Sequence, residues 1–295
     1  METHEKIRLN GNRDFSGNFD MAIKFIKQNF GPIARGLVYL IPVLLIAVFM
    51  LPNLFKIYYA MGAGSYNTRA MDMLFDEYSF LSVVGGIIAY ILLLVTMFLM
   101  GLFTITYIAY YVKSEDGVVN NAEVWRQVAK TALPAFGASI LFGLAFLIGF
   151  VLCIIPCIIV MVYLGFYLYA YINEELGIMD SFQRSIELVR NNFWITLGYG
   201  LVFVIILSLI SSVFAIPYYI GLIASTFQVQ FFANDFFFIL SMMILFVGSI
   251  FSYIIMYTAM GVMYYSHRNK IEGNDLEFEI DSIGNQNDTP PSIPY

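Results

Sequence analysis

The sequence predicts an all-α, polytopic membrane protein with six transmembrane helices arranged as three hairpins. The 295 residues are 60% hydrophobic and only 12% charged, whereas about a quarter of the residues in a soluble globular domain are charged. Several stretches also lack Asp, Glu, Lys, Arg and His, and each has the roughly 20 residues that a helix needs to cross a bilayer core. These stretches are Gly36–Phe55, Ser79–Val112, Thr131–Asn173, Phe193–Asn234 and Phe236–Ser266.

The five uncharged stretches hold six spans because one of them is too long for a single crossing. The first two stretches are spans one and two. As one helix, the 43 residues of Thr131–Asn173 would be about 65 Å long at 1.5 Å per residue. We therefore expect a fold-back near Cys153–Pro156, where proline removes a backbone donor, to give spans three and four. Phe193–Tyr219 and Phe236–Tyr265 are spans five and six.

The distribution of Lys and Arg predicts the orientation. Thirteen of the 15 basic residues fall on the side of the N-terminus, and only Lys56 and Arg69 fall on the other. Cytoplasmic loops carry the excess of positive residues, so we expect a multi-pass protein of the cytoplasmic (inner) membrane with both termini cytoplasmic. The predicted organisation is a cytoplasmic segment with an amphipathic helix (1–35), a six-span membrane domain (36–266) and an acidic, disordered cytoplasmic tail (267–295).

Each cytoplasmic segment before an odd-numbered span has the pattern of an amphipathic helix, which indicates a three-fold repeat. Apolar residues follow helical spacing in the first and third copies, and the middle copy, Glu123–Leu133, is degenerate. We expect these helices to lie in the inner membrane interface, with ordinary linkers packed on the spans as the alternative. The apolar positions are Phe19, Ile23, Ile26 and Phe30 in the first copy and Phe182, Ile186, Val189 and Phe193 in the third.

The polar side chains of these helices are the candidate lipid or interface contacts. They are Lys24, Lys27, Asp180, Arg184, Arg190, Asn191 and Asn192. Asp180, just after Gly177, is also expected to cap its helix. One hypothesis directs Arg184 and Arg190 to headgroup phosphates or to the C-terminal ends of neighbouring helices. The other pairs them with Asp180 and Glu187 inside their own helix.

The third copy also carries a family resemblance. The segments Asn173–Ser185 and Leu188–Trp194 resemble a signature of a bacterial six-span family related to the membrane domain of glycerophosphoryl diester phosphodiesterases. The resemblance implies a fold and a membrane location, and little chemistry. We expect the chain to be a stand-alone form without the catalytic domain.

The remaining polar residues predict no catalytic centre, cofactor or metal. His4 and His267 are expected to be solvated, Cys153 and Cys157 to be apolar filler at a helix end, and the acids of Lys56–Glu77 to be a solvated loop. In the tail, Leu276–Asp281 alternates apolar and acidic residues, a pattern that could add a strand to a partner. We expect a solvated tail instead.

Proline and small residues bear on the choice between a packed bundle and a transporter. Of the prolines, only Pro42 is expected well inside a span, whereas Pro134 is expected in a first helical turn and Pro217 at a helix end. The predicted function is a non-catalytic, lipid-associated or protein-interaction component of the envelope, not an enzyme. The alternative is a carrier or permease for a neutral or lipid-like solute. Membrane lipids and an unidentified cytosolic or membrane protein are the expected partners, without nucleic acid, and the oligomeric state is left open.

Overall fold

The computed structural model describes residues 6–50, 77–227 and 235–273, and within these ranges every regular element is helical. The predicted acidic outer loop, the end of span one and the tail segment 276–281 lie outside the described residues. In chain order, the elements are α1 (Phe15–Leu37), a 3-10 turn (Val38–Leu40), α2 (Ile41–Met50), α3 (Glu77–Lys113), α4 (Asn121–Leu152), α5 (Ile154–Leu164), α6 (Tyr167–Asn173), α7 (Ile178–Arg190), α8 (Phe193–Thr226) and α9 (Asp235–Glu272).

The predicted fold class is confirmed. Among the described residues, six helical segments are long and apolar enough to cross a membrane: Phe15–Met50, Val84–Lys113, Asn121–Leu152, Ile154–Asn173, Phe193–Ala224 and Phe236–Glu272. The turn between α4 and α5 falls at Cys153, inside the predicted fold-back. Gly149 permits this tight turn, because a Cβ there would lie 3.0 Å from the backbone of Cys157.

Two of the three prolines lie at other positions in their helices than the sequence predicts. Pro42 is the second residue of α2 and directly follows the 3-10 turn, so it occupies a first turn where its missing N–H has no helical partner to lose. Within its span, Phe15–Met50, Pro42 lies inside as predicted. Pro134 and Pro217 lie inside α4 and α8, so the predictions of a first turn and a helix end are wrong for these two. Membrane helices tolerate such prolines because neighbouring groups re-satisfy the freed backbone.

The three amphipathic segments differ in how they join the helices that follow them. The first is part of α1, which continues unbroken to Leu37. The middle one opens α4, whose N-terminus is capped by the Asn120 side chain accepting from the Ala122 N–H at 3.0 Å. The middle segment is therefore continuous with its span, whereas a turn separates the first and third segments from the helices that follow them.

By its internal packing the chain divides into two units, and the first contains residues 6–30, 104–203 and 257–273 of the described ranges. It holds the C-terminal ends of α3 and α9, and buried tyrosines join these helices to others. The Tyr199 hydroxyl donates to the carbonyl of Ala259 at 3.1 Å, and the Tyr169 hydroxyl donates to that of Tyr257 at 2.6 Å. The Tyr107 hydroxyl donates to Asn29 Oδ1 at 3.2 Å. This unit is therefore cross-linked by polar as well as apolar contacts.

The second unit contains residues 31–50, 77–103, 204–227 and 235–256 of the described ranges. Its helices expose many large apolar side chains, as Ile46, Phe49, Ile205 and Leu209 do. A soluble surface would rarely carry so continuous an apolar exposure. These faces are the surface that a multi-pass membrane protein presents to lipid.

Candidate functional site

Helix α7 is held against span four by a serine that fills a break in that span. The break lies at Gly165 and Phe166, between α5 and α6. Ser185 of α7 is fully buried, and its hydroxyl donates to the Tyr163 carbonyl at 2.7 Å and accepts from the Phe166 N–H at 3.0 Å. Backbone groups left unpaired away from water are costly, so α7 stabilises a discontinuous helix.

The geometry of the break depends on a glycine. A Cβ on Gly165 would lie 2.8 Å from the carbonyl oxygen of Met161 in the preceding turn. Because that atom belongs to the backbone, it has little freedom to move away. The sequence therefore places at this position the one residue that lets the chain turn from α5 into α6 beside Ser185.

An aromatic stack continues the contact from α7 to α4. Phe182 of α7 stacks on Tyr167, with ring centroids 4.9 Å apart, and Tyr167 stacks on Phe142 at 5.2 Å. The Tyr167 hydroxyl also lies 2.8 Å from Ser139 Oγ. Ring pairs of this kind stabilise a contact by about 0.5–1.5 kcal/mol beyond their buried area, so α7 is fixed in position as well as capping the break.

Charged side chains join the ends of α6, α7 and α9 in a group that we call the Arg184 cluster. Its members are Arg184, Glu187, Glu174, Glu272, Arg268 and Tyr264. Arg184 Nε lies 2.9 Å from Glu174, its Nη1 lies 2.9 Å from Glu187, and its Nη2 bonds to Glu272. The side chains of Arg184 and Glu174 are only 14% and 12% exposed, whereas Glu187 is 57% exposed, so the Arg184–Glu174 pair is the part of the cluster that is largely shielded from water.

The rest of the cluster completes the pairing of its carboxylates. Arg268 Nε lies 2.9 Å from Glu272, and the Tyr264 hydroxyl donates to Glu174 at 2.5 Å. Burial by itself lowers the pKa of the Arg184 guanidinium, but its hydrogen bond to Glu187 and the charges of Glu174 and Glu272 outweigh burial. The pKa of Arg184 therefore lies above its ordinary value, and the group stays charged.

The Arg184 cluster bears on the two hypotheses for this arginine. The contact with Glu187 is the pair within its own helix that the second hypothesis expects. The partners on α6 and α9 are 10 and 88 residues away in sequence, and helix spacing does not reveal them. One signal was available, because Glu174 directly follows a long uncharged stretch and needs a cation nearby.

The other predicted contact residues do not join this cluster. Lys24 and Lys27 are exposed on α1, and Arg190 and Asn191 are exposed where α7 ends; within the described residues the three basic side chains form no ion pair. The Asn192 carbonyl accepts from the Thr196 N–H at 2.9 Å, which opens α8.

Asp180 has a different place from the one we expected. The N-cap of α7 is Gly177, which makes no side-chain cap, and Asp180 lies exposed in the first turn. The prediction of Asp180 as the cap is therefore wrong. An acid in the first turn still favours the helix, since it faces the positive end of the helix dipole.

The buried face of α7 is also shifted from the apolar face that the spacing indicates. The buried positions are Ser181, Ser185, Leu188 and Val189, whereas Ile186 is exposed. Three corresponding positions of α1, Asn18, Ala22 and Phe25, are buried as well. In a membrane protein small and polar side chains often face neighbouring helices while apolar ones face lipid, so burial does not follow hydrophobicity alone.

His267 is buried, and the prediction of a solvated histidine is wrong. Helix α9 continues to Glu272, which places His267 inside the first unit rather than in a tail. Its Nε2 lies 2.8 Å from Thr196 Oγ1, and its ring packs edge-on against Phe166 at 5.9 Å. The residue thus joins α9 to α8 and to the break in span four.

The segment before α1 forms a further contact that the sequence did not reveal. Lys6 Nζ donates to the carbonyls of Val112 and Ser114 at 3.0 and 2.5 Å. The Ile7 N–H donates to the buried Tyr111 hydroxyl at 2.8 Å. A cation at these carbonyls satisfies free acceptors at the end of α3 and opposes the negative end of its dipole.

The arrangement of α6, α7 and α9 has the character of a structural joint. Within the described residues no group of three or more His, Cys, Asp or Glu side chains is placed to hold a metal ion. Cys153 is exposed at the turn before α5, and Cys157 is buried. The charged groups that the described helices bring together are paired with one another.

Comparison with known proteins identifies a family and no individual relative. A family profile described as a domain of unknown function, DUF7847, matches residues 69–267, about two thirds of the chain. No curated protein and no solved structure matches the chain. The matched region contains the whole of α4 to α8, with the break in span four and its serine, and it ends at His267. Because the match covers more than half of the sequence, the chain belongs to the DUF7847 family.

Proposed function

We propose that this multi-pass membrane protein is a non-catalytic, lipid-associated component of the cell envelope that provides a rigid interaction surface at its inner end. The observation that carries the proposal is the Arg184 cluster together with Ser185. The ion pairs and hydrogen bonds of these groups connect α6, α7 and α9 to one another. A fixed inner surface is what a scaffold requires.

The proposed setting is the cytoplasmic membrane with both termini in the cytoplasm. The excess of basic residues on one side supports this orientation. On that side Lys24, Lys27 and Arg190 are exposed, which supports contact with anionic lipid. The resemblance to the membrane domain of glycerophosphoryl diester phosphodiesterases agrees with a lipid-related role and is part of the proposal.

Gentle extraction followed by native mass spectrometry tests the proposal. We expect the protein to retain anionic phospholipids, and the triple variant Lys24→Glu, Lys27→Glu, Arg190→Glu to retain far fewer. Arg184 is excluded from this set because its reversal would break the cluster. Equal melting temperatures would show that the variant folds. If the folded triple variant keeps the same anionic lipids as the parent, the lipid association is wrong.

A second candidate function is a carrier for a neutral or lipid-like solute, because discontinuous helices build the binding sites of many transporters. The break at Gly165 is such a feature, although Ser185 occupies it. The variant Ser185→Cys, in a background with Cys153→Ala and Cys157→Ala, separates the two functions. A scaffold predicts protection from a membrane-impermeant maleimide in sealed vesicles of either orientation. Rapid labelling from one side would favour the carrier.

A further inference from the structure

Near the start of two spans, an exposed basic side chain is followed by an exposed, large apolar side chain. On α4, Lys130 is exposed and Leu133, one turn later, is 81% exposed. Arg190, the last residue of α7, is exposed, and Trp194, the second residue of α8, is 79% exposed. Lys130 and Arg190 occupy corresponding positions in the second and third sequence copies. In both places the exposed side chains change from basic to apolar within three or four residues of the sequence.

The length of α4 relates this change to the depth of the membrane. Leu133–Leu152 contains 20 residues, or about 29 Å at 1.5 Å per residue, and a hydrocarbon core is roughly 30 Å thick. Large exposed apolar side chains continue along this stretch, including Ile140, Leu147 and Val151. Leu133 therefore marks the inner edge of the hydrocarbon, and Lys130 lies about 4.5 Å further out, at the level of the headgroups.

The environment of Arg190 leaves its charge directed outward. The nearest acid on the same helix, Glu187, bonds to Arg184 instead. Trp194 follows four residues later, at the start of α8, and tryptophan is enriched at membrane interfaces. An exposed cation that directly precedes a span with an exposed tryptophan in its first turn is complementary to a lipid that carries a net negative charge.

We propose that Lys130 and Arg190 each bind the headgroup phosphate of an anionic phospholipid, with Leu133 and Trp194 against the upper part of its acyl chains. The inference rests on the proposed lipid association and deepens it by naming the ligand class and the two sites. A purely structural alternative exists, in which Arg190 only stabilises the negative end of the α7 dipole. That alternative predicts no preference among lipids.

Tryptophan fluorescence tests the site at Arg190, because the chain has two tryptophans, Trp125 and Trp194. The variant Trp125→Phe leaves Trp194 as the reporter. It is reconstituted into phosphatidylcholine vesicles that contain either brominated phosphatidylcholine or brominated phosphatidylglycerol as the quencher. We expect phosphatidylglycerol to be preferred at Trp194 about fivefold, which corresponds to roughly 1 kcal/mol per basic residue near an anionic surface. Arg190→Gln should bring the preference close to one.

Lys113 provides the matched control. It is an exposed basic residue that already pairs with Glu175 at 3.5 Å, so Lys113→Gln should leave the preference at Trp194 unchanged. The second site is read with Leu133→Trp in a background with Trp125→Phe and Trp194→Phe. There, Lys130→Gln should remove the preference that the parent reporter shows.

Three results would overturn the proposal: equal quenching by the two brominated lipids, an Arg190→Gln variant with the parent's preference, or no quenching of Trp194 by either lipid. Quenching does not depend on which leaflet the site faces, so a reversed orientation would contradict the proposed function and leave these sites standing. Conversely, anionic lipid retained on extraction without a preference at Trp194 would leave the lipid association standing and remove these sites.

Discussion

Replacing Ser185 with alanine should destabilise the first unit more than its small size implies. The substitution removes one oxygen atom from a fully buried position. It leaves the Tyr163 carbonyl and the Phe166 N–H, at 2.7 and 3.0 Å from that oxygen, without their partner. Both groups lie at a helix break, so neither has the usual helical partner to fall back on.

The magnitude follows from the two bonds. A hydrogen bond contributes about 0.5–1.5 kcal/mol net to stability, and polar contacts between membrane helices average about 0.6 kcal/mol. We therefore expect Ser185→Ala to cost roughly 1–3 kcal/mol. Ser181 is the matched control, since it is equally buried one turn earlier but bonds only to the Gly177 carbonyl of its own helix at 2.7 Å. That local bond persists in a helical denatured state, so Ser181→Ala should cost less than about 0.5 kcal/mol.

Unfolding of the two variants in mixed micelles with increasing sodium dodecyl sulfate measures this difference. The free energy of unfolding should be lower for Ser185→Ala than for Ser181→Ala by at least about 0.5 kcal/mol, which is roughly a twofold change in the folded-to-unfolded ratio. Equal values for the two variants would show that Ser185 does not stabilise the break in span four.

Three further predictions follow from the same contacts. Arg184→Gln should lower the free energy of unfolding by about 2–4 kcal/mol, because it leaves the shielded Glu174 carboxylate without its closest cation. The same change at exposed Arg190 should cost under about 0.5 kcal/mol, and equal losses would refute the structural role of the cluster. Lys6→Gln should cost about 1 kcal/mol through the uncapped end of α3, and a melting temperature equal to the parent's would contradict this. Replacing Cys153 and Cys157 with alanine should leave expression and the melting temperature nearly unchanged. A metal-dependent melting shift in the parent that the variant lacks would contradict this.

The number of spans could be predicted from the sequence, whereas the break in span four could not. Charge-free length decides whether a helix can cross a bilayer, and a stretch of 43 residues has to fold back. The break at Gly165 has no proline, and it depends on Ser185, which lies 20 residues further along the chain. A contact between two helices leaves no periodic signal in either of them.

The face of α7 was mispredicted for a physical reason. Spacing identifies apolar residues on one side of a helix, and in water that side is buried. At a membrane, exposed Ile186 can face lipid while Ser181 and Ser185 face the protein. The spacing of Ser181 and Ser185 is itself the small-residue pattern of helix interfaces, so the sequence did contain the signal.

The Arg184 cluster combines a predictable and an unpredictable part. Glu187 lies three residues after Arg184, and helical geometry brings such pairs together. Glu272 is 88 residues away on α9, and only the tertiary arrangement makes it a neighbour. His267 was mispredicted for a related reason. It directly follows the last uncharged stretch, and the end of that stretch does not indicate how much further the helix continues.

Cysteine accessibility in intact cells tests most directly whether the charged, cross-linked end of the protein faces the cytoplasm. Single cysteines are placed at Asn67, Gln230 and the exposed Val118 in a background with Cys153→Ala and Cys157→Ala. We expect a membrane-impermeant maleimide to label positions 67 and 230 on intact cells, and to label position 118 only after permeabilisation. Labelling of position 118 on intact cells, with 67 and 230 protected, would contradict the proposed orientation.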